Sequence, residues 1–523
     1  MIKKLTPALV REILEQRNTP QGIYSLKDLP QPDLLKDSKQ SAYLVAETMR
    51  ENGNILIIGD YDADGVNASA LMYKFFSTLG YKNFEVVIPN RFSDGYGIST
   101  KLLERLEASK NFQLIISVDN GISAYDAGEF CAKENLKLII TDHHTPQDSL
   151  PKADALINPK QPGCEFPYKD ICGCVVAWYL CASIKQEISA DINMGEFLPF
   201  LALATLADVM PLVGVNRILV KKGLDSIKKS NMPMCEVIRQ KIKIMNAENV
   251  SFSFIPLLNC AGRMGDANKA LEFLLAPDLQ RAKELYKDLE SINNERKIVQ
   301  QEILCSAQNV LIQKDNLLYA SHKDWHKGVL GIICSQLVQT YKKSAFVLSD
   351  DGQGILKGSA RSYGNVDLIK TAQDIQSKHS LLLEFGGHQG ALGLSLESRN
   401  LERFMTLFDE NLQTKGEAQS AILGEIPSCY INKDLLQILE EFEPFGQANP
   451  MPCFACNDLE LVQFKIIGKD KNHLQLAFLN TQKMHLGGVE FFYKQLPELG
   501  TKNWEFSLSR DMFYDLCLKI HRN

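Results

Sequence analysis

The chain has 523 residues, of which 45% are hydrophobic and 23% charged, and its formal net charge at pH 7 is −6. That length exceeds one ordinary core and predicts about two to four domains, in the compositional range of soluble globular proteins. Bulk charge does not announce a nucleic-acid partner and does not exclude one, because local basic grooves and metal-phosphate contacts can act inside an acidic protein.

Residues 1–50 read as a lead-in. Met1-Ile2-Lys3-Lys4 is basic, but Leu5 to Val10 gives no long apolar segment, so neither a signal peptide nor a transmembrane helix is expected. The 13 cysteines form no framework, which suits a reducing cytoplasm. Pro30 and Pro32 break the pattern, and Asp37 to Glu51 then reads as a helix.

Short apolar runs follow, alternating with helical stretches. They are Ile55–Ile58, Phe84–Ile88, Leu114–Val118, Leu136–Ile140 and Ala155–Ile157. Near-continuous apolar strands between helices predict a parallel sheet covered on both faces, a doubly wound α/β domain over about residues 51–270. Ligands of such folds bind beyond the carboxyl ends of the strands. The first run is followed by Asp60, Asp62 and Asp64, the third by Asp119-Asn120-Gly121, and the fourth by Asp142-His143-His144. One Asp after a strand is ordinarily a helix cap. Three such clusters at one sheet edge favour a shared site, and neighbouring carboxylates need a cation or a proton between them.

Leu198 to Ala207 reads as a helix ending at Asp208, and Asn259 to Asp266 as a Gly-punctuated polar loop in which Arg263 can meet an anion. Pro277 opens a glycine-free stretch with a helical stripe of Leu285, Leu289, Ile292, Val299 and Ile303, read as a connecting helix over 277–313. A second α/β unit over 314–415 has strands at Asn316–Ala320 and Ser344–Leu348, with a loop turning into a helix between them. Its polar landmarks are Gly358-Ser359-Ala360-Arg361-Ser362 and Gly386-Gly387-His388. From about 418 to 523, short strands with polar turns predict a small barrel or sandwich. Cys453-Phe454-Ala455-Cys456 is a lone CxxC in a strand and reads as core packing.

Taken in order, these motifs resemble the DHH phosphoesterase superfamily and, within it, the RecJ-type single-stranded-DNA exonucleases. The resemblance rests on Asp60–Gly65, Asp119–Gly121, Asp142–His144, Ala207-Asp208 with Pro211-Leu212, Asn216-Arg217 and Asn259–Gly265. It continues through Trp325–Val329, Gly358–Ser362, Gly386–His388 and Pro444-Phe445-Gly446 with Asn449-Pro450. It implies a catalytic domain, a long connecting helix, a second substrate-gripping domain and a C-terminal oligonucleotide-binding (OB) barrel. It also implies two divalent cations, Mn²⁺ or Mg²⁺, held by Asp62, Asp64, Asp119, His143 and Asp208, a donor set that suits such ions. By the same resemblance Asp142 and His144 orient ligands or touch the scissile phosphate, with His388 near it. Asp60 is open between capping and support. Arg91, Asn259, Arg263, Ser359, Arg361 and His388 are the implied substrate contacts. Ile58 stands where many relatives have a histidine, and Asn67 where Thr or Ser is common.

The implied reaction is two-metal phosphodiester hydrolysis, running 5′→3′ on single-stranded DNA to mononucleotides, in recombination and repair. No P-loop, Ser-His-Asp set or strict zinc spacing competes with it. The barrel would hold bases by stacking, with Phe464, Phe478, Phe491, Phe492, Tyr493 and Trp504 as candidates. A single-strand-binding protein and a helicase are the partners such an enzyme would have, and a monomer the state. Two alternatives remain at this point. A small-substrate DHH phosphodiesterase would be shorter and lack the final barrel, and an inactive scaffold would have lost acidic ligands.

Overall fold

The structure, a computed structural model, describes residues 3–18, 22–91, 93–95, 97–108, 110–412, 422–468, 471–511 and 514–522. The chain divides into two compact units. One comprises Met1–Asn259, Asp266–Asp288 and Ala421–Asn523, and the other Cys260–Gly265 and Leu289–Ser420.

The first unit is built on five parallel strands: β1 (Ile55–Ile58), β2 (Phe84–Val87), β3 (Leu114–Val118), β4 (Lys137–Thr141) and β5 (Ala155–Ile157). Their order is β2-β1-β3-β4-β5, with Ile55 opposite both Phe84 and Leu114, and Ile139 opposite Ala155. Alternate residues point to opposite faces. Leu56, Ile58, Ile115, Leu138 and Ile140 pack with Leu102, Leu103, Ala127 and Cys131 from helices Thr100–Glu107 and Tyr125–Lys133. Helices Ser38–Arg50, Ala63–Thr78, Gly173–Glu187 and Leu198–Ala207 pack together, and the first three also meet strands of the sheet. The doubly wound reading is thus borne out. Strand order reverses between β1 and β3, so the crevice of this sheet opens at their carboxyl ends. Ile58 lies wholly inside the apolar cluster beneath that crevice and offers no ligand atom.

The expected polar loop from Asn259 is instead the end of a helix, Ile255–Met264, and only Gly265, at φ +117°, breaks it. Gly262 alone did not stop the helix because an isolated glycine costs only about 1 kcal/mol against alanine. A 31-residue helix, Leu279–Asn309, realises the expected connecting helix.

The second unit carries a mixed sheet in the order β10-β11-β9-β8-β7-β6. Its strands are β6 (Ile312–Gln313), β7 (Leu317–His322), β8 (Ser344–Asp350), β9 (Ile355–Arg361), β10 (Leu382–His388) and β11 (Ala391–Glu397). Among the described residues of this sheet, only β7 and β8 pair in parallel. Ser359, Arg361 and His388 therefore sit on strands, His388 at the end of β10.

The last strands are β12 (Ile422–Glu425), β13 (Cys453–Ile467), β14 (His473–Leu479), β15 (His485–Phe491), β16 (Gly500–Ser509) and β17 (Cys517–Ile520). Pairing runs β13-β14-β15-β17-β16 and returns to β13, closing a five-stranded barrel. Phe478 and Trp504 are buried in its core, where Cys456 also packs, and Phe464 and Tyr493 are packed against it. Phe491 and Phe492 are 53% and 71% exposed and flank His473 edge to face. Residues 413–421, at the expected start of this domain, lie outside the described residues. The lead-in is not a separate element. Lys4 pairs with Glu425, and Leu5, Val10 and Leu14 enter the same core as Phe454 and Leu435. Among the described residues no helix is long and apolar enough to cross a membrane.

Candidate metal centre

The acid cluster begins where β1 ends. Asp60 is buried, and its Oδ1 accepts from the Tyr61 N–H at 2.7 Å. Asp62 is the N-cap of the helix Ala63–Thr78. Its Oδ1 accepts from the N–H groups of Asp64 (3.0 Å) and Gly65 (3.1 Å), as a capping Asp does at an extended residue. The third free N–H of that turn, from Ala63, goes to Asn259 Oδ1 at 2.9 Å. Capping thus falls to Asp62 and Asn259, and Asp60 is left directed into the crevice.

Asp64 is fixed from the opposite side. Its oxygens accept from Gly173 N–H (2.7 Å) and Cys174 N–H (2.9 Å), the first donors of the helix Gly173–Glu187. Burial, then the charge of Asp62, pushes the Asp64 carboxyl up to about 6, against the pull of those two N–H groups.

Asp119 follows β3 with φ at +63°, a left-handed conformation that few residues other than glycine adopt. The conformation turns its carboxylate back toward β1, close against Gly173. A Cβ at position 173 would lie 2.6 Å from Asp119 Cγ, so only glycine fits there. Burial and the neighbouring charges of Asp64, Asp62, Asp60 and Asp208 push the Asp119 carboxyl well above its ordinary range.

After β4, Asp142 and the two histidines divide their work. Asp142 Oδ2 accepts from Ile122 N–H at 2.8 Å. Its Oδ1 accepts from the N–H groups of His143 and His144 and pairs with His144 Nδ1 at 2.7 Å. Burial opposes ionisation of Asp142, but the bond to His144 and both histidine charges outweigh it and bring the carboxyl down to about 2. Burial also works against the charged form of His144, which Asp142, Asp208 and Asp62 nonetheless raise to about 9. His143 is buried, and burial with the charge of His144 lowers it to about 3. Its Nε2 stands 3.3 Å from Asp119 Oδ1, 3.5 Å from Asp208 Oδ2 and 3.8 Å from Asp64 Oδ2.

Asp208 closes the helix Leu198–Ala207, as expected, and burial with the charges of Asp64 and Asp62 pushes it up to about 8. The turn after it is strained. Val209 has φ at +52° in the position that glycine usually takes, at a cost of about 1–2 kcal/mol.

The outcome is two groups of three donors, each with its ligand atoms within 4.8 Å of one another. One is Asp60, Asp62 and Asp119; the other is Asp64, His143 and Asp208. A third overlapping group joins Asp119 to His143 and His144. Among the described residues, Asp119 Oδ1 and Asp208 Oδ2 are buried without a hydrogen-bond partner. Carboxylates this close cannot all ionise in a buried space without positive charge among them, so donor set and electrostatics both fit divalent cations. Arg91 lies beside this cluster, its guanidinium carbon 5.0 Å from the centre of the Tyr61 ring. Phe92 and Tyr96, in the same loop, lie outside the described residues.

The second unit gathers the other expected residues. Ser359 and Arg361 project from one face of β9 toward the first turn of the helix Leu330–Tyr341. A Cβ on Gly331 would lie 3.0 Å from an Arg361 guanidinium nitrogen and 3.6 Å from Ser359 Oγ. Arg263 donates to the Gly328 carbonyl of the same segment at 3.4 Å. A helix N-terminus with two guanidinium groups is an anion site in chemical terms. His388 shares a cross-strand row with Ala391 and Arg361, about 10 Å from Arg361 by strand spacing.

Residues 54–205 match the DHH family, N-terminal domain, residues 314–414 the DHHA1 domain, and residues 422–520 the RecJ OB domain. The single-stranded-DNA-specific exonuclease RecJ of Haemophilus influenzae is 32% identical over 499 residues, 90% of this chain and 86% of that protein. The chain belongs to the RecJ family. The Escherichia coli RecJ is 31% identical over 506 residues, covering 90% of this chain and 87% of its own. The crystal structure of RecJ in complex with Mn²⁺ from Thermus thermophilus aligns with 97% of this chain and 72% of that one, with a TM-score of 0.77 and 25% identity.

Within this RecJ-family site, three residues escaped the sequence reading. Asp60, which the sequence leaves open between capping and support, shares a ligand group with Asp62 and Asp119. Gly173 was not singled out; its only signal was a glycine at the start of an apolar helix. Asn120 was seen as motif but not as a clamp. Its amide donates to the Ile58 (3.1 Å) and Val118 (2.9 Å) carbonyls, and its Oδ1 accepts from Ile98 N–H at 3.0 Å, tying the ends of β1 and β3 together.

Proposed function

We propose that this chain is a 5′→3′ exonuclease that hydrolyses single-stranded DNA to mononucleotides, in DNA recombination and repair, with two divalent cations, Mn²⁺ or Mg²⁺. The observation that carries this reading is the pair of three-donor groups at the switch point of the sheet, in a chain of the RecJ family. Asp62, Asp64, Asp119, His143 and Asp208 hold the ions, and Asp60 joins Asp62 and Asp119. When bound, such ions lower the pKa of water and offset charge on a phosphoryl oxygen.

The side chains do the rest. Asp64 and Asp142, each bonded to backbone N–H groups, keep their neighbours in place. Asp142 orients His144 and keeps it protonated, which puts a half-exposed cation beside Asp208 and Asp62, suited to the scissile phosphate. His388 serves a neighbouring phosphate. Arg91, Arg263, Ser359 and Arg361 recognise the 5′ end, bidentate guanidinium contact being the chemistry a terminal phosphate requires. Asn259 spends its Oδ1 on Ala63 and brings its amide nitrogen to the strand. Phe491 and Phe492 stack on bases at the barrel surface.

In this reading residues 51–270 are the catalytic domain, 314–415 the end-gripping domain and 418–523 the strand-holding domain, joined through the helix at 277–313. The enzyme acts as a cytoplasmic monomer, with a single-strand-binding protein and a helicase as partners. Asp119→Ala tests the site: hydrolysis is lost in Mn²⁺ and in Mg²⁺ while single-stranded DNA is still bound. Retained turnover would remove Asp119 from the machinery.

A further inference from the structure

We infer that the connector Pro444–Pro450 is a positioning element for the metal centre, in which Gly446 and Gln447 hold Leu212 and thereby set the direction of Asp208. The inference rests on Asp208 being a cation ligand, as proposed above.

The turn after Asp208 is closed by two backbone bonds, Val209 N–H to Leu206 O (3.3 Å) and Met210 N–H to Thr205 O (3.1 Å). Its left-handed residue is Val209, β-branched and 65% exposed. A valine does not choose that conformation, and so exposed a side chain is not held there by burial. Such strain persists only where the surroundings over-determine the backbone. Two anchors do so, three and four residues beyond Asp208. Asn216 Nδ2 donates to the Pro211 carbonyl (3.0 Å) and to the Asp170 carbonyl (2.6 Å), within the catalytic domain itself. Leu212 N–H donates to the Gln447 carbonyl at 2.7 Å, and the Leu212 side chain, 2% exposed, closes on Gly446. A Cβ at 446 would lie 2.7 Å from Leu212 Cδ1.

The connector is itself held from several sides. Gly446 and Asn449 exchange backbone bonds of 2.9 and 3.2 Å, and buried Asn449 donates to Pro444 O at 2.9 Å. Arg217 donates to Glu443 O (3.3 Å), and Arg17, from the first helix, to Pro450 O (2.8 Å). A ligand carboxylate thus hangs on a strained turn whose far end is clipped to a segment more than 230 residues away in sequence.

The test is Mn²⁺ titration calorimetry on the full chain. Gly446→Val puts a branched side chain against Leu212. It weakens one of the two Mn²⁺ ions about tenfold, the lower range for residues that orient ligands, and leaves single-stranded DNA affinity within about twofold. Adding Val209→Gly, which lets the turn keep its shape without strain, restores most of that loss. Leu212→Ala, which removes the packing and keeps the N–H, gives the same weakening and replaces Gly446→Val if that variant does not fold. Unchanged Mn²⁺ binding in these variants overturns the inference, and so does a loss that Val209→Gly fails to restore, because the connector would then act by general damage. Asp208→Asn separates the two levels. If it leaves both ions bound as before, the ligand assignment falls and the inference with it; if it removes one ion while Gly446→Val removes none, the inference falls alone.

Discussion

Gly173→Ala is the most informative single change, because helix propensity and site geometry predict opposite results. Residue 173 opens a 15-residue helix, and alanine in place of glycine there would on propensity alone be neutral or favourable by up to about 1 kcal/mol. The added Cβ, however, would stand 2.5 Å from Asp119 Cβ and 2.6 Å from its Cγ, where carbon contacts need about 3.5–4.0 Å. One partner must yield by about 1 Å. The helix cannot withdraw without drawing the Gly173 and Cys174 N–H groups from Asp64, and Asp119 cannot swing freely from its left-handed backbone. A misplacement of that size costs about a hundredfold in rate, or about 2.7 kcal/mol of transition-state stabilisation. Initial rates on single-stranded DNA in Mn²⁺, with a parallel Mn²⁺ titration and a thermal melt, read all three quantities. The expected result is a loss of rate and of Mn²⁺ affinity in a protein that still melts cooperatively. A variant with the parent's rate and both ions bound would refute the argument that Gly173 makes room for Asp119.

Arg361→Ala weakens the preference for 5′-phosphorylated over 5′-hydroxyl strands and leaves Mn²⁺ binding unchanged; an equal preference before and after would point to Arg91 or Arg263 instead. Phe492→Ala weakens single-stranded DNA binding by about 1–3 kcal/mol in a fluorescence titration, the value of one base stacked on an aromatic ring, whereas Trp504→Ala, in the barrel core, chiefly lowers the melting temperature. Glu443 gives a pH test. Burial, then the charge of Glu440, raises its carboxyl to about 7, so folding favours its protonated form. Its unfavourable effect is absent below the unfolded pKa of about 4.3, develops as pH rises from there to the folded value of about 7, and is complete above it. Glu443→Gln therefore raises the melting temperature at pH 8 and not at pH 4, and an equal gain at both would show that its charge is not what matters.

The parallel sheet was legible because its inner strands, β1 and β3 to β5, are almost wholly buried and read as near-continuous apolar runs, and the acid clusters because they stand where those strands stop. The helix end at Asp208 and the connecting helix were legible for similar local reasons, whereas Asp208 as a ligand came only with the family resemblance. What escaped depends on contacts distant in sequence. Asp60 and Asp62 are equivalent in the sequence, and only the helix start shows that Asp62 takes the cap. Gly173 matters because Asp119, 54 positions earlier, turns back on it. The first fourteen residues looked like a lead-in because their apolar positions, Leu5, Val10 and Leu14, find their partners near residues 426–520. Asn259 to Asp266 reads as a loop because its small and polar residues suit a turn, yet the helix runs on to Met264.

Direction, substrate and product are all read by one measurement. Single strands labelled at the 5′ end or at the 3′ end, beside a blunt duplex of the same sequence, are digested in Mn²⁺ and the products resolved by size. A 5′→3′ exonuclease releases labelled mononucleotide at once from the 5′-labelled strand, steadily shortens the 3′-labelled strand, and leaves the duplex intact. Equal digestion of the duplex, mononucleotide first from the 3′ label, or turnover confined to dinucleotides would contradict the proposed function.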